Sequence, residues 1–172
     1  QSKTALDGRL ALEVALNILQ IPSLQGLNLQ VKWPNDLYSP QGKWGGILVE
    51  PLSVNQAIVG VGINLNTPPV ENADQPITSL HRLGLHQIER LNLIAELYTA
   101  IQQAAQWFEH GSYNLAERFN HHAIWLNQQV EFEHAQGKLQ GRFQGISNDG
   151  AVIIKTDQAQ QFYQGRLRLA EI

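Results

Sequence analysis

Cysteine and methionine are both missing from the 172 residues of this chain. The lack of cysteine excludes disulfides, thiolate metal sites and cysteine nucleophiles together, so any chemistry falls to oxygen and nitrogen groups. Long apolar runs are also missing; none approaches the roughly 20 residues of a membrane-spanning helix. Nor is there a basic excess: 12 Lys and Arg stand against 15 Asp and Glu, for a formal net charge of −3 and a pI near 6.1. The positive balance of nucleic-acid binders is absent, and neither a nucleic-acid nor a membrane partner is expected. Charge of either sign is sparse, with 20 Gln and 12 Asn outnumbering the charged residues. These amides are dispersed among apolar positions and replace surface charge instead of forming a low-complexity tract. With no Met, the sequence opens on Gln1, which reads as a piece of a longer or processed chain. Its first 30 residues lack the basic start and apolar stretch of a signal peptide, so a cytoplasmic location is expected.

What is present suffices for a globular core: 43% of residues are hydrophobic and the mean hydropathy is −0.23. Leu6, Leu10, Val14 and Ile18 recur at helical spacing, punctuated afterwards by Pro22 and Gly26. Leu29, Val31 and Trp33 alternate with polar residues as a strand that stops at Pro34-Asn35-Asp36. Gly46 to Glu50 and Ala57 to Asn64 read as adjacent antiparallel strands, and 67–76 as an irregular loop. Ile94, Leu97, Ile101, Ala104 or Ala105 and Phe108 trace one face of a long helix, with Asn92 as its cap and Gly111 as its end. A shorter helix is expected around Leu115 to His122. Beyond Asn127 the texture changes to short strand-like segments, Val130 to Glu133, Lys138 to Ile146, Ala151 to Lys155 and Gln161 to Leu169, which suggest a small β-barrel. The expectation is an α/β part at 1–126 and an all-β part at 127–172.

Polar groups concentrate where these elements meet: Lys32-Trp33-Pro34-Asn35-Asp36, then Lys43-Trp44-Gly45-Gly46, then Gly60-Val61-Gly62-Ile63-Asn64. Two ammonium groups, a carboxylate, two carboxamides and paired glycines suit an anionic, nucleotide-like ligand. The ammoniums offset phosphate charge, the carboxylate can hold magnesium, and glycines admit close backbone approach. The same residues also read as ordinary turn and hairpin chemistry. Sharper motifs fail. Leu65 stands where a dinucleotide fingerprint needs glycine, and Leu37 and Trp44 break a phosphate loop around Gly42-Lys43. The six histidines lack metal-ligand spacing.

Three segments, Val31-Lys32-Trp33-Pro34-Asn35-Asp36-Leu37, Lys43 with Gly45-Gly46-Ile47-Leu48-Val49-Glu50, and Gly60-Val61-Gly62-Ile63-Asn64-Leu65-Asn66, resemble in order and spacing the catalytic-domain signatures of biotin-protein ligases. The later helices and the final segment, with Gly145-Ile146-Ser147 and Gly150-Ala151, resemble the C-terminal half of the same family. The resemblance implies an α+β fold, a class II synthetase-like mixed sheet with flanking helices followed by a Src-homology-3-like barrel.

It further implies a two-step reaction. Biotin and MgATP give biotinyl-adenylate and pyrophosphate, and a lysine of the biotin carboxyl carrier domain of acetyl-CoA carboxylase then takes the biotinyl group. By similarity Lys43 contacts both the biotin carboxylate and the α-phosphate, and Lys32 neutralises neighbouring phosphate charge. Asp36 orients or deprotonates the acceptor lysine. Gly45, Gly46 and Gly60 close around biotin beside Lys43; Asn35 and Asn64 join Lys32 in contacting ATP, Asn64 also being the magnesium contact. Members of the family carry a Gly-Arg-Gly-Arg biotin loop. That sequence is absent from these residues, so the loop is expected upstream of Gln1 and the chain is expected to act when joined to it. A non-catalytic ligand- or carrier-binding remnant and a lipoate ligase relative are the alternatives, and pairing of two copies through the sheet is a further expectation.

Overall fold

A computed structural model describes residues 4–66 and 74–170. Helix α1 (Arg9–Ile18) buries Leu10, Val14 and Ile18 as their spacing predicts. It starts three residues after Leu6, whose amide instead donates to the carbonyl of Val54 at 2.9 Å. The chain then enters β1 (Gln30–Lys32), turns through Trp33-Pro34-Asn35 and returns as β2 (Asp36–Ser39), with Val31 opposite Leu37 and Lys32 opposite Asp36. Strand β2 is not legible as alternation, because Leu37, Tyr38 and Ser39 are buried one after another. The next two strands, β3 (Gly42–Ser53) and β4 (Gln56–Ile63), form the expected antiparallel pair. Strand β3 begins earlier than its apolar run because Gly42, Lys43, Gly45 and Gly46 pair with β2.

The four strands lie in the order β1-β2-β3-β4 and every named pairing is antiparallel. Among the described residues, the parallel component of the expected mixed sheet is limited to the bridges Val31 to Ala123 and Lys43 to Ile77. Of the irregular loop expected at 67–76, positions 67–73 lie outside the described residues. Helix α2 (Arg90–Glu109) packs on α1 and buries Leu93, Ala100, Ala104 and Phe108. It begins two residues before Asn92, which therefore does not cap it, and Ile94 is 61% exposed instead of facing the core. Gly111, with φ +86°, follows its end as expected. Helix α3 (Leu115–His122) spans the anticipated residues and buries Leu115 and Phe119.

The remaining strands are β5 (Gln129–His134), β6 (Gly137–Ile146), β7 (Val152–Lys155), β8 (Ala159–Phe162) and β9 (Arg166–Leu169), in the order β8-β7-β6-β5-β9. The segment read as one strand, Gln161 to Leu169, is thus two strands on opposite edges, divided at Tyr163 to Gly165. Among the described residues β8 and β9 do not pair, so the barrel is not closed by hydrogen bonds. The sheet nevertheless bends over its own core, bringing the Phe162 ring 4.8 Å from that of Phe132 on β5. Trp33 ties this sheet to the first: its ring centroid lies 5.9 Å from that of Phe132, and its indole N–H donates to the carbonyl of Gly150 at 3.0 Å. Helix α3 adds two further ties. The Asn120 side chain accepts from the amide of Ile146 at 2.9 Å, and that of Asn148 accepts from the amide of Ala116 at 3.0 Å.

Candidate ligand-binding cleft

The tight β1–β2 hairpin fixes the chemistry. Pairing Lys32 opposite Asp36, and Asp36 opposite Gly46, brings three charged side chains to one end of the sheet. The Asp36 carboxylate holds both ammonium groups, with one oxygen 3.2 Å from Lys32 Nζ and the other 2.6 Å from Lys43 Nζ. Lys32 also donates to the Gln75 side chain at 2.7 Å and lies 5.5 Å and 5.7 Å from the ring centroids of Tyr38 and Trp125. Burial pushes the Lys32 ammonium below its ordinary pKa, while the Asp36 charge and hydrogen bond oppose that shift. The same burial, reinforced by the charges of Asp36 and Asp74, pushes the Tyr38 hydroxyl up to about 12.

Lys32, Asn35, Asp36 and Lys43 line a cleft of about 460 Å³ together with Asp74, Gln75 and, from β9, Arg166 and Arg168. That volume is in the ordinary range for small-ligand sites. The arginines were not recognised in the sequence because they fall inside what reads as ordinary strand alternation; clustering of basic residues in a terminal Arg-Leu-Arg was the available signal. Gly45, Gly46, Gly60 and Asn64 do not line this cleft. The Asn64 side-chain amide donates to the carbonyl of Thr78 at 3.1 Å, and that of Asn35 donates to the carbonyl of Ile47 at 2.7 Å.

The three glycines differ in whether the protein itself forbids a side chain. A Cβ at Gly45 would lie 2.6 Å from the carbonyl oxygen of Gly62 on the paired strand, so the sheet itself requires glycine there. At Gly46 it would only touch the flexible end of the Lys43 side chain at 3.4 Å. At Gly60 it would meet nothing closer than 3.8 Å, so the protein imposes no such demand. Gly60 pairs with Leu48, which is 57% exposed, and the neighbouring Ile58 is 53% exposed. This sheet face is open to a ligand or another segment.

The cleft can therefore compensate an anion with cationic groups contributed by both sheets. Among the described residues no group of three or more His, Asp or Glu converges to hold a metal, and no helix is long and apolar enough to cross a membrane.

Comparison with known proteins points to one group of ligases. Residues 5–64 match the model of the Biotin/lipoate A/B protein ligase family, and residues 125–167 that of the Biotin protein ligase C terminal domain. The bifunctional ligase/repressor BirA of Bacillus subtilis is 25% identical over 159 residues, which are 87% of this chain and 49% of that protein. The biotin--[acetyl-CoA-carboxylase] ligase of Paracoccus denitrificans is 30% identical over 157 residues, 85% of this chain and 63% of that one. The chain thus spans about half the length of the Bacillus relative. In fold it resembles the biotin protein ligase from Aquifex aeolicus in complex with biotin and ATP, with a TM-score of 0.79 at 23% identity, covering 95% of this chain and 72% of that one. With models of one ligase family matching its beginning and its end in the order of that family, the chain belongs to the biotin protein ligases.

Proposed function

We propose that this chain is the C-terminal part of an ATP-dependent ligase that activates biotin as biotinyl-adenylate and transfers it to a lysine of a biotin carboxyl carrier domain. The observation that carries the reading is the pair of ammonium groups, Lys32 and Lys43, held on one carboxylate at the cleft. In the first step an anionic carboxylate must attack an anionic α-phosphate, and pyrophosphate leaves. Cationic groups positioned before the reactants arrive lower that barrier without reorganising. Lys43, 31% exposed and at the cleft wall, suits contact with both reacting groups; Lys32, 10% exposed, suits a fixed neutralising charge behind it.

In the second step the carrier lysine attacks the acyl carbon and AMP leaves. Asp36 is the carboxylate placed to orient or deprotonate that amine once phosphate has drawn a lysine from it. Gly46 and Gly60 suit the biotin side, and Asn35 and Asn64 the nucleotide. Magnesium would arrive on the phosphates and be held mainly by them, with Asn64 offering at most one oxygen. The division at 1–126 and 127–172, with the second part helping to hold ATP or the carrier, and a cytoplasmic setting belong to the same proposal.

The test is biotin-dependent exchange of pyrophosphate into ATP by the intact protein. Lys43→Ala should lower it by about 10²- to 10³-fold; exchange at the wild-type rate refutes the role of Lys43. Because the matched family model covers lipoate as well as biotin ligases, lipoate in the same assay separates the two substrates. Stimulation by lipoate alone would overturn the biotin assignment.

A further inference from the structure

The Lys32 ammonium has neighbours of two kinds. The Asp36 carboxylate at 3.2 Å and the Gln75 side chain at 2.7 Å are polar partners for which a ligand can compete. The others are rings: Nζ lies over the Tyr38 ring, 5.5 Å from its centroid, and over the Trp125 ring at 5.7 Å. The two rings meet edge to face, with centroids 5.4 Å apart and planes at 68°. Both ammonium distances fall within the roughly 6 Å at which a ring face attracts a cation. Neither ring lines the cleft, so both act on it through Lys32.

Trp125 lies far from the three segments that carry Lys32, Lys43 and Asn64, and it is the first residue matched by the C-terminal domain model. Its φ of +62° is uncommon for a bulky residue and persists only where the surroundings impose it. Here the connection from α3 to β5 is laid along β1. Ala123 bridges to Val31, the Ile124 amide donates to the Val31 carbonyl at 2.9 Å, and the Trp125 carbonyl accepts from the Gln128 amide at 2.9 Å. The indole is thereby held against the residue that follows Val31. Burial works against the charge on Lys32. A carboxylate favours that charge but cancels it, whereas a ring face favours it and leaves the full positive charge for a ligand. An anion entering the cleft competes with Asp36 and Gln75, but not with the rings. Because the lysine stem is flexible, a contact outside that exchange is what fixes its end.

We propose that Trp125, with Tyr38 beside it, is a positioning residue of the cleft, whose ring holds the Lys32 ammonium in place while Asp36 and an incoming phosphate exchange. The connection into the second sheet then sets the anion affinity of the first. The inference rests on the reading that Lys32 meets phosphate in this cleft; it does not require that the phosphate belong to ATP.

The experiment is titration calorimetry of inorganic pyrophosphate with this 172-residue chain, with circular dichroism confirming that each variant is folded. Trp125→Leu keeps apolar bulk without the ring and should weaken pyrophosphate by about 3- to 10-fold, while Trp125→Phe should stay within about 2-fold of wild type. In a Lys32→Gln background, Trp125→Leu should change the affinity by less than about 2-fold, because the residue it acts through is gone. A measurement on the wild-type chain needs no variant to fold: proton NMR should find the Lys32 ε-methylene shifted upfield by the ring currents, and still shifted when pyrophosphate saturates the cleft. Pyrophosphate binding that is absent or unchanged by Trp125→Leu, an equal loss in Trp125→Phe, an equal loss without Lys32, or an ε-methylene signal that returns to its unshifted position on binding overturns the proposal. If the Lys32→Gln chain does not bind pyrophosphate, the contrast between Phe and Leu and the NMR signal decide. Because neither biotin nor nucleotide is present, the expected pattern beside a failed exchange assay would sink the ligation reading alone, and the reverse pattern would remove only the role of Trp125.

Discussion

The indole N–H of Trp33 donates to the carbonyl oxygen of Gly150 at 3.0 Å, across 117 positions of sequence. Trp33 belongs to the segment that carries the family resemblance, and its side chain is 2% exposed and joins the two sheets at the edge of the cleft. It fixes the hairpin bearing Lys32 and Asp36 against the turn that leads into β7. Trp33→Phe should keep most of the packing but leave the Gly150 carbonyl without its donor, costing about 1–3 kcal/mol. Trp33→Ala should cost about 3–5 kcal/mol because a cavity is added. Urea unfolding of the three proteins checks this; equal midpoints for wild type and Trp33→Phe would show that the bond contributes nothing.

Tyr38 is 2% exposed, and its hydroxyl finds no hydrogen-bond partner among the described residues. Tyr38→Phe at neutral pH should therefore be neutral or stabilising by up to about 1 kcal/mol, since it removes a buried polar group that is already unpaired. At alkaline pH the two proteins should diverge. The folded-state pKa of Tyr38, about 12, lies above its ordinary 10.0, so the folded state keeps a proton that the unfolded state releases. The stability this supplies is complete below pH 10 and lost as pH rises towards 12, by linkage. Lys32 works in the opposite direction, because its lowered pKa means that stability rises as its proton leaves at a lower pH in the folded chain. Comparing wild type with Tyr38→Phe isolates the tyrosine: the stability advantage of the variant should widen from pH 9 to 11, and a constant difference would count against a raised Tyr38 pKa.

Glu13 on α1 is fully buried, and both its oxygens accept from the Arg118 guanidinium of α3, at 2.9 Å and 2.6 Å. The Arg118 guanidinium carbon also lies 4.3 Å from the centroid of the Trp107 ring. Removing the arginine strands a carboxylate in the core, so Arg118→Ala should cost about 3–5 kcal/mol. The exposed pair Lys138 and Glu131, at 2.9 Å, serves as the comparison, with Lys138→Ala expected to cost under about 1 kcal/mol. Chemical denaturation of both variants gives the ordering, and an Arg118 effect no larger than that of Lys138 would show that the buried pair contributes no more than the exposed one.

The helices and most strands were legible because their apolar residues repeat at the period of the element, as in Leu10, Val14 and Ile18 of α1. Strand β2 and the split between β8 and β9 were not, for different reasons. Leu37 to Ser39 are buried consecutively, which erases alternation, whereas Gln161 to Leu169 keeps a strand-like texture through the turn at Tyr163 to Gly165. In the cleft, Lys32, Asp36 and Lys43 were recoverable because one compact hairpin and its neighbour bring them together. Arg166 and Arg168 reach the same place only through the packing of the second sheet on the first, a long-range relationship that no local spacing encodes.

The glycines offer a test that separates fold from ligand. Gly45 and Gly60 were read alike from the sequence, as positions kept small for biotin. Only Gly45 has an internal reason, since a methyl there would overlap the carbonyl of Gly62 at 2.6 Å. Backbone cannot yield as a flexible side chain can, so Gly45→Ala should lower stability by roughly 1–3 kcal/mol, as overpacking does, whether or not ligand is present. At Gly60 the nearest atom to an added methyl is 3.8 Å away, and the residue is exposed on the β4 face. Gly60→Ala should therefore leave the unfolding free energy within about 0.5 kcal/mol of wild type. If biotin lies on this face in the intact protein, the same methyl should raise the KM for biotin while changing kcat less, because it obstructs binding and leaves the charged groups in place. Unfolding curves for both variants, set beside the biotin dependence of pyrophosphate exchange, decide the matter. A Gly60→Ala protein with wild-type stability and wild-type KM would remove Gly60 from the biotin site.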